Sequence, residues 1–190
     1  MKKLIVAALL ALSTVGASAT ALVSNGDFES GSFSGWTKSG NSLFSDIVAN
    51  TVTSNHTNVW RIGAIHTQGM ISQIINTEEG ATYSLSFDVY NQLTFNSNFA
   101  AYFDDVIVSS YANEVQNWTH YTINNLIASS TATELKFAAR NDLSYTRLDN
   151  VSLVQTASAS AVPEPTSVLL LSGAFAALAL SRRRAGKPRA

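Results

Sequence analysis

Alternation between apolar and polar residues dominates the middle of this chain. The clearest case is residues 81–90, in which every second side chain is large and apolar: Tyr83, Leu85, Phe87 and Val89. The residues between them are hydroxyl-bearing or acidic. A period of two is that of a β-strand with one face in the core and one face in water. This segment is therefore predicted to be an amphipathic strand.

Seven further segments are predicted to be strands on the same grounds. They are Ser42–Val48, Asn58–Ile62, Met70–Asn76, Phe99–Ser109, Trp118–Ile127, Thr133–Arg140 and Tyr145–Val154. The connections are rich in Asn, Ser, Thr and Gly, and no window of helical length between the chain ends repeats every 3.6 residues. The pattern predicts an all-β fold, an antiparallel β-sandwich or jelly roll of about eight strands.

The N-terminus has the three parts of a secretory signal peptide. Lys2 and Lys3 precede an apolar run, Leu4–Leu12, and small residues follow as far as Ala19. The run is too short to span a bilayer, and small residues suit signal peptidase. We expect residues 1–19 to form a signal helix that is removed after Ala19, with Ala21 as the alternative cleavage point.

The C-terminus contains a second apolar segment between two distinctive motifs. Val162-Pro163-Glu164-Pro165 precedes the apolar residues 168–180, and Arg182, Arg183 and Arg184 follow. About 13 residues in a helix span roughly 20 Å, which is short for a membrane. The arginines favour the cytoplasmic side, so the middle of the chain would lie outside the cytoplasm.

These C-terminal features resemble the PEP-CTERM sorting signal of Gram-negative bacteria. The resemblance implies recognition by an exosortase near Pro163, Glu164 and Pro165, transient anchoring in the inner membrane, and delivery to the cell surface or matrix. It also implies a setting of exopolysaccharide and biofilm. An ordinary tail anchor is the alternative, although it leaves the Pro-Glu-Pro motif unexplained.

These assignments divide the chain into four parts. They are a signal peptide (1–19), a β-sandwich domain (20–156), a linker (157–161) and a sorting tail (162–190) with an apolar helix (167–181) and a basic end (182–190). Between residues 20 and 161, five basic residues stand against twelve acidic ones, a net charge of −7. A nucleic-acid partner needs a basic face and is not expected.

The domain itself resembles galactose-binding-like jelly rolls, which include carbohydrate-binding modules. Leu22–Gly31 followed by Gly35-Trp36 is similar to their opening, and Leu148–Leu153 to their final strand. Segments in the order of this superfamily lie between, including Gly80–Phe87 and Trp118–Tyr121. The resemblance implies the sandwich fold and a glycan-binding role.

The same resemblance implies a structural calcium site near the two ends of the domain. The matching positions are Asp27, Glu29 and Asp149. Calcium prefers several oxygen ligands, and a cation joining distant segments would stabilise a domain without cysteine. Asn150 stands where many relatives have Asp. The alternative is that Asp27 caps a turn and Asp149 ends a solvated strand.

A glycan-binding site is expected to contain exposed aromatic rings beside amides or carboxylates. Tyr90, Phe95 and Tyr102 lie in such polar surroundings and are the predicted ligand-binding residues, whereas Trp36 and Trp118 are expected to pack inside. Ordinary cross-strand packing is the alternative for each.

The sequence favours a binding protein over an enzyme. Adjacent residues of one strand point to opposite faces, so Asp104 and Asp105 would not act as a carboxylate pair, and no nucleophile elbow or metal-ligand helix motif occurs. We expect a non-catalytic surface or matrix protein that binds, or is embedded in, extracellular polysaccharide. A structural or adhesive protein without a ligand and a small glycan hydrolase are the alternatives.

Overall fold

The computed structural model describes residues 21–51, 55–92 and 95–159. The signal peptide, the apolar helix and the sorting residues Pro163 to Pro165 and Arg182 to Arg184 lie outside these ranges. Within the described ranges, no helix is long and apolar enough to cross a membrane.

Ten β-strands make up the described part of the domain. They are β1 (Thr37–Gly40), β2 (Ser45–Ala49), β3 (Asn58–Ile62), β4 (Gly69–Asn76), β5 (Thr82–Asn91), β6 (Ser97–Phe103), β7 (Val106–Ala112), β8 (Gln116–Ile127), β9 (Ala132–Asn141) and β10 (Thr146–Ala157). They form two antiparallel sheets. Sheet I has the order β1-β4-β9-β6-β7, and sheet II has the order β2-β3-β10-β5-β8. The predicted all-β sandwich is confirmed.

The inner faces of the two sheets share one aromatic and aliphatic core. Phe137 of sheet I has its ring centroid 5.3 Å from that of Phe87 of sheet II, 6.0 Å from that of Phe99 and 6.1 Å from that of Trp36. The alternation in β5 works as predicted, because its four apolar side chains are buried in this core. The opposite side chains of β5, ending with Asp88 and Tyr90, therefore lie on the outer face of sheet II.

The segment before β1 packs along β10. The Leu22 amide donates to the Leu153 carbonyl at 2.8 Å, and the Val151 amide donates to the Gly26 carbonyl at 2.9 Å. A Cβ atom on Gly26 would lie only 2.0 Å from the Val151 carbonyl oxygen. Position 26 therefore needs glycine, since any side chain there would push this segment off β10.

The structure differs from the predicted strands in two places. β1 was not predicted, because all four of its residues are exposed and it carries no apolar alternation; it is held by backbone pairing with β4. The predicted strand Phe99–Ser109 is two strands. Asp104 and Asp105 have φ values of 55° and 60° and form the two-residue turn between β6 and β7.

Candidate functional site

A row of side chains crosses the outer face of sheet II at right angles to the strands. Pairing places Asp46 of β2 opposite Arg61 of β3, and Arg61 opposite Arg147 of β10. Arg147 in turn lies opposite Tyr90 of β5. A register irregularity in the β5–β8 pairing brings Trp118 beside Tyr90, with ring centroids 5.6 Å apart. We call these five residues the guanidinium–aromatic row.

Close contacts hold the row together. Arg61 donates to Asp46 from two nitrogens, at 3.0 and 2.6 Å, and its guanidinium carbon lies 4.4 Å from the ring centroid of Tyr145. The guanidinium carbon of Arg147 lies 5.2 Å from the ring centroid of Tyr90. Stacked guanidinium groups lose less conformational freedom on binding than free ones, because the ring already holds them in one orientation.

A second row lies beside the first along the same strands. Asp149 of β10 pairs with Asp88 of β5, and Asp88 pairs with His120 of β8. His120 Nδ1 lies 2.6 Å from Asp88 Oδ1, and the Asn150 side-chain amide donates to Asp88 Oδ2 at 2.8 Å. Together, the two rows place aromatic rings, cations, carboxylates and an amide on the outer face of sheet II.

His56, just before β3, joins the two rows. Its ring stacks on Trp118 with centroids 3.7 Å apart, and its Nδ1 lies 2.8 Å from Asp149 Oδ2. Asp149 is only 2% exposed. Burial raises the pKa of Asp149 to about 6, against the opposing effect of its hydrogen bonds with His56 and the Asn150 amide.

A groove at one end of the sandwich adjoins the guanidinium–aromatic row through Tyr145. Phe44 and Leu143, both exposed, are among its lining residues. Asp142 joins the surrounding loops, since it accepts hydrogen bonds from Arg140 and from the His66 amide. The same hydrogen bond from Arg140 holds the pKa of the Asp142 carboxyl well below its usual range.

The three predicted ligand-binding residues do not form one cluster. Tyr90 lies in the guanidinium–aromatic row. Tyr102 lies on the outer face of sheet I, where Lys136 covers its ring at 5.0 Å and is itself paired with Asp105 at 2.6 Å. Phe95 is 59% exposed in the connection between β5 and β6. A role in ligand binding stays a prediction for all three.

Sequence reasoning missed several residues of this face. Trp118 was expected inside, but it lies outside the core on the outer face of sheet II, on the same side of β8 as the exposed His120. Trp36 is buried in the core as expected. The outward positions of Arg61 and Arg147 follow from alternation with the buried Trp60, Ile62 and Leu148, a signal that the sequence does contain.

Two of the three predicted calcium ligands are engaged elsewhere, and Asp27 accepts from the Glu29 amide within its own turn. Glu29 accepts from the Asn58 amide at 2.9 Å and from its side chain at 3.2 Å, and Asp149 is bound to His56. No group of three or more acidic, histidine or cysteine side chains suitable for a metal occurs among the described residues. The structure thus does not assemble Asp27, Glu29 and Asp149 into one ligand set, and calcium binding stays a prediction.

The calcium prediction has a direct test. If Ca²⁺ binds at Asp27, an ion concentration of about 100 times Kd raises the free energy of unfolding by about 2.7 kcal/mol, and Asp27→Asn removes the increase. The melting temperature with Ca²⁺ and with EDTA measures this. Equal melting temperatures in the two conditions contradict the prediction. Asp46→Asn, which also removes one carboxylate, is the matched control.

The reason given against a carboxylate pair at Asp104 and Asp105 was wrong, because these residues form a turn rather than part of a strand. Asp105 is paired with Lys136, and Asp104 accepts a hydrogen bond from Ser129. The two carboxylates are therefore engaged with different partners.

The two antiparallel sheets place the chain in the class of jelly-roll β-sandwich proteins. Within that class, residues 20–142 match the family model described as "Carbohydrate binding domain", and the chain belongs to this family. The matched residues end before β10, which supplies Arg147 and Asp149. None of the curated proteins compared with the chain matches it.

Solved structures of similar fold include carbohydrate-binding modules. The structure of TmCBM61 in complex with β-1,4-galactotriose has a TM-score of 0.58 at 16% identity, and the match covers 72% of this chain and 99% of that one. A family 22 module of Clostridium thermocellum Xyn10B has a TM-score of 0.51 at 16% identity, covering 78% and 96%. At these identities the likeness establishes the fold.

A longer protein is also similar in part. Tailspike protein 4 of bacteriophage CBA120, solved as an enzymatically active domain, has a TM-score of 0.53 at 19% identity. The match covers 71% of this chain but only 21% of that one. Its activity is therefore no guide to this chain.

Proposed function

We propose that this chain is an exported, non-catalytic protein that binds polysaccharide along the outer face of sheet II. The guanidinium–aromatic row carries the proposal. Sugar rings have apolar C–H faces that pack on aromatic rings, and hydroxyl groups that hydrogen-bond to charged and amide side chains. Trp118 supplies a partly exposed ring, with the buried Tyr90 behind it, and Arg147, Asp88 and Asn150 supply the polar groups.

The outer face of sheet I is a weaker candidate. Its predicted aromatic residue, Tyr102, is covered by Lys136, and Lys136 is held by Asp105 and Glu134 at 2.6 and 3.0 Å. A ligand there would have to break these ion pairs, whereas Arg147 makes no such pair among the described residues. Membership of a carbohydrate-binding family supports the proposed role but does not identify the face or the sugar.

Affinity electrophoresis tests the proposed binding. The full chain, in mild detergent, is run through native gels that contain neutral or acidic polysaccharides. The proposal predicts slower migration in at least one polysaccharide. Unchanged mobility in all of them would favour the structural or adhesive alternative, and cleavage of a glycan that disappears on replacing Asp88 or Asp149 would favour a hydrolase.

The proposed location rests on the two chain ends. A signal peptide, the Pro163-Glu164-Pro165 motif, an apolar segment and the arginine cluster support export, exosortase processing and delivery to a surface or matrix that contains exopolysaccharide. Mass spectrometry of the mature protein tests this. A mature chain that ends near Pro165 supports the proposal, and one that retains Arg182 to Arg184 contradicts processing.

A further inference from the structure

Arg147 differs from the other basic residues of the domain in having a half-buried charge without a counter-charge. Arg61, Lys136 and Arg140 are each paired with a carboxylate. Lys38 is exposed to water. Among the described residues, Arg147 alone combines partial burial with the absence of a carboxylate partner. A partly desolvated charge without a partner is costly, so its position calls for an explanation.

The neighbours of Arg147 increase this cost. Arg61 lies directly opposite it on β3, and like charges in cross-strand pairs are destabilising. Asp46 offsets the charge of Arg61 through two hydrogen bonds, but it does not reach Arg147. Burial lowers the pKa of Arg147, and the positive charge of Arg61 adds to this shift. An anion beside Arg147 would remove both penalties.

The stacking of Arg147 on Tyr90 prepares it for such an anion. The guanidinium carbon lies over the Tyr90 ring, and no carboxylate of the described residues pairs with this guanidinium, whose fork of N–H groups matches the two oxygens of a carboxylate. The site also lies within the proposed sugar-binding face. Residues 20–161 carry a net charge of −7, so attraction of an anion here would come from Arg147 and Arg61 and not from the overall charge of the domain.

We infer that Arg147, stacked on Tyr90 and opposite Arg61, binds the carboxylate of a uronic acid residue, and that the preferred ligand is an acidic polysaccharide. This inference rests on the proposed function and adds the chemical class of the sugar. Trp118 would pack against a sugar ring, Tyr90 would support the Arg147 guanidinium from below, and Arg147 would pair with the carboxylate.

The test compares acidic polysaccharides with their neutral forms. The full chain is run through gels containing polygalacturonate, alginate or hyaluronan, and through gels with the same polymers after chemical reduction of their carboxyl groups. We expect at least one acidic polymer to bind, and its reduced form to bind about 10- to 100-fold more weakly, the effect of losing a charge-assisted hydrogen bond.

Variants identify the residue responsible. Arg147→Gln should weaken binding to the acidic polymer by the same 10- to 100-fold factor. The affinity of Arg147→Lys should lie between those of the parent and Arg147→Gln, because lysine keeps the positive charge but lacks the two parallel N–H donors of the guanidinium. Lys38→Gln removes one positive charge from an exposed site and should bind as the parent does. Melting temperatures confirm that each variant is folded.

The outcomes separate this inference from the proposed function. One outcome is that neutral glycans bind, that Trp118→Ala abolishes this binding, and that acidic polymers do not bind. In that case the outer face of sheet II is a sugar-binding site, but the inference about Arg147 is wrong. Unchanged binding of an acidic polymer by Arg147→Gln also overturns it. If no glycan of either kind binds, the proposed function fails together with the inference.

Discussion

Trp118→Ala lowers the affinity of the protein for its polysaccharide by about 30-fold or more, the loss expected for a central aromatic residue of a binding site. Trp118 lies outside the core and contacts both His56 and Tyr90. Its removal takes away a stacking surface and the support of both neighbours. Affinity electrophoresis or calorimetry measures the change.

Tyr102→Ala is the matched control for this prediction. Tyr102, like Trp118, is a partly buried aromatic residue on an outer sheet face, but it lies on sheet I and packs against Lys136. If the ligand lies along sheet II as proposed, replacing Tyr102 leaves the affinity nearly unchanged, and the ligand-binding role predicted for Tyr102 from the sequence is wrong. The account is contradicted if Trp118→Ala retains full affinity while remaining folded, or if Tyr102→Ala is the variant that loses binding.

Phe137→Ala should destabilise the domain by about 3–5 kcal/mol, the range for truncating a buried phenylalanine. Phe137 is fully buried and contacts rings from both sheets, so neither sheet can close the cavity alone. Native domains have only about 5–15 kcal/mol of stability in total, and the melting temperature should therefore fall strongly. Thermal and denaturant unfolding measure the loss.

The control is Ile74→Ala on the neighbouring strand β4. Ile74 is 64% exposed, so we expect a change within about 0.5 kcal/mol. If the two variants unfold alike, then Phe137 does not have the central place in the core that its contacts give it.

The fold was largely predictable because local alternation encodes it. A strand such as β5, with one face buried and one in water, can be recognised in the sequence because every second residue is apolar. Features held by backbone pairing are different. β1 has no apolar side chain, and the turn at Asp104 and Asp105 interrupts a segment whose composition reads as continuous strand.

The candidate site was only partly predictable, because it depends on strand order. Arg61 and Arg147 are far apart in sequence and become neighbours only since β3 and β10 pair in sheet II. The alternation of buried and exposed residues could place each arginine on the outer face of a sheet. It could not show that both arginines lie on the outer face of the same sheet. Tyr90 and Tyr102 are close in sequence, yet they belong to different sheets.

The indole signals of the three tryptophans offer the most direct test of the proposed site. Trp36 Nε1 donates to the Asn25 carbonyl at 3.0 Å, and Trp60 Nε1 donates to Ser45 at 2.9 Å, both away from the outer face of sheet II. Trp118 Nε1 is buried and has no hydrogen-bond partner among the described residues. Titration with a bound polysaccharide, followed by ¹⁵N–¹H NMR, should shift the Trp118 signal and leave the other two in place. A saturated complex in which the Trp118 signal does not move would contradict binding at this face.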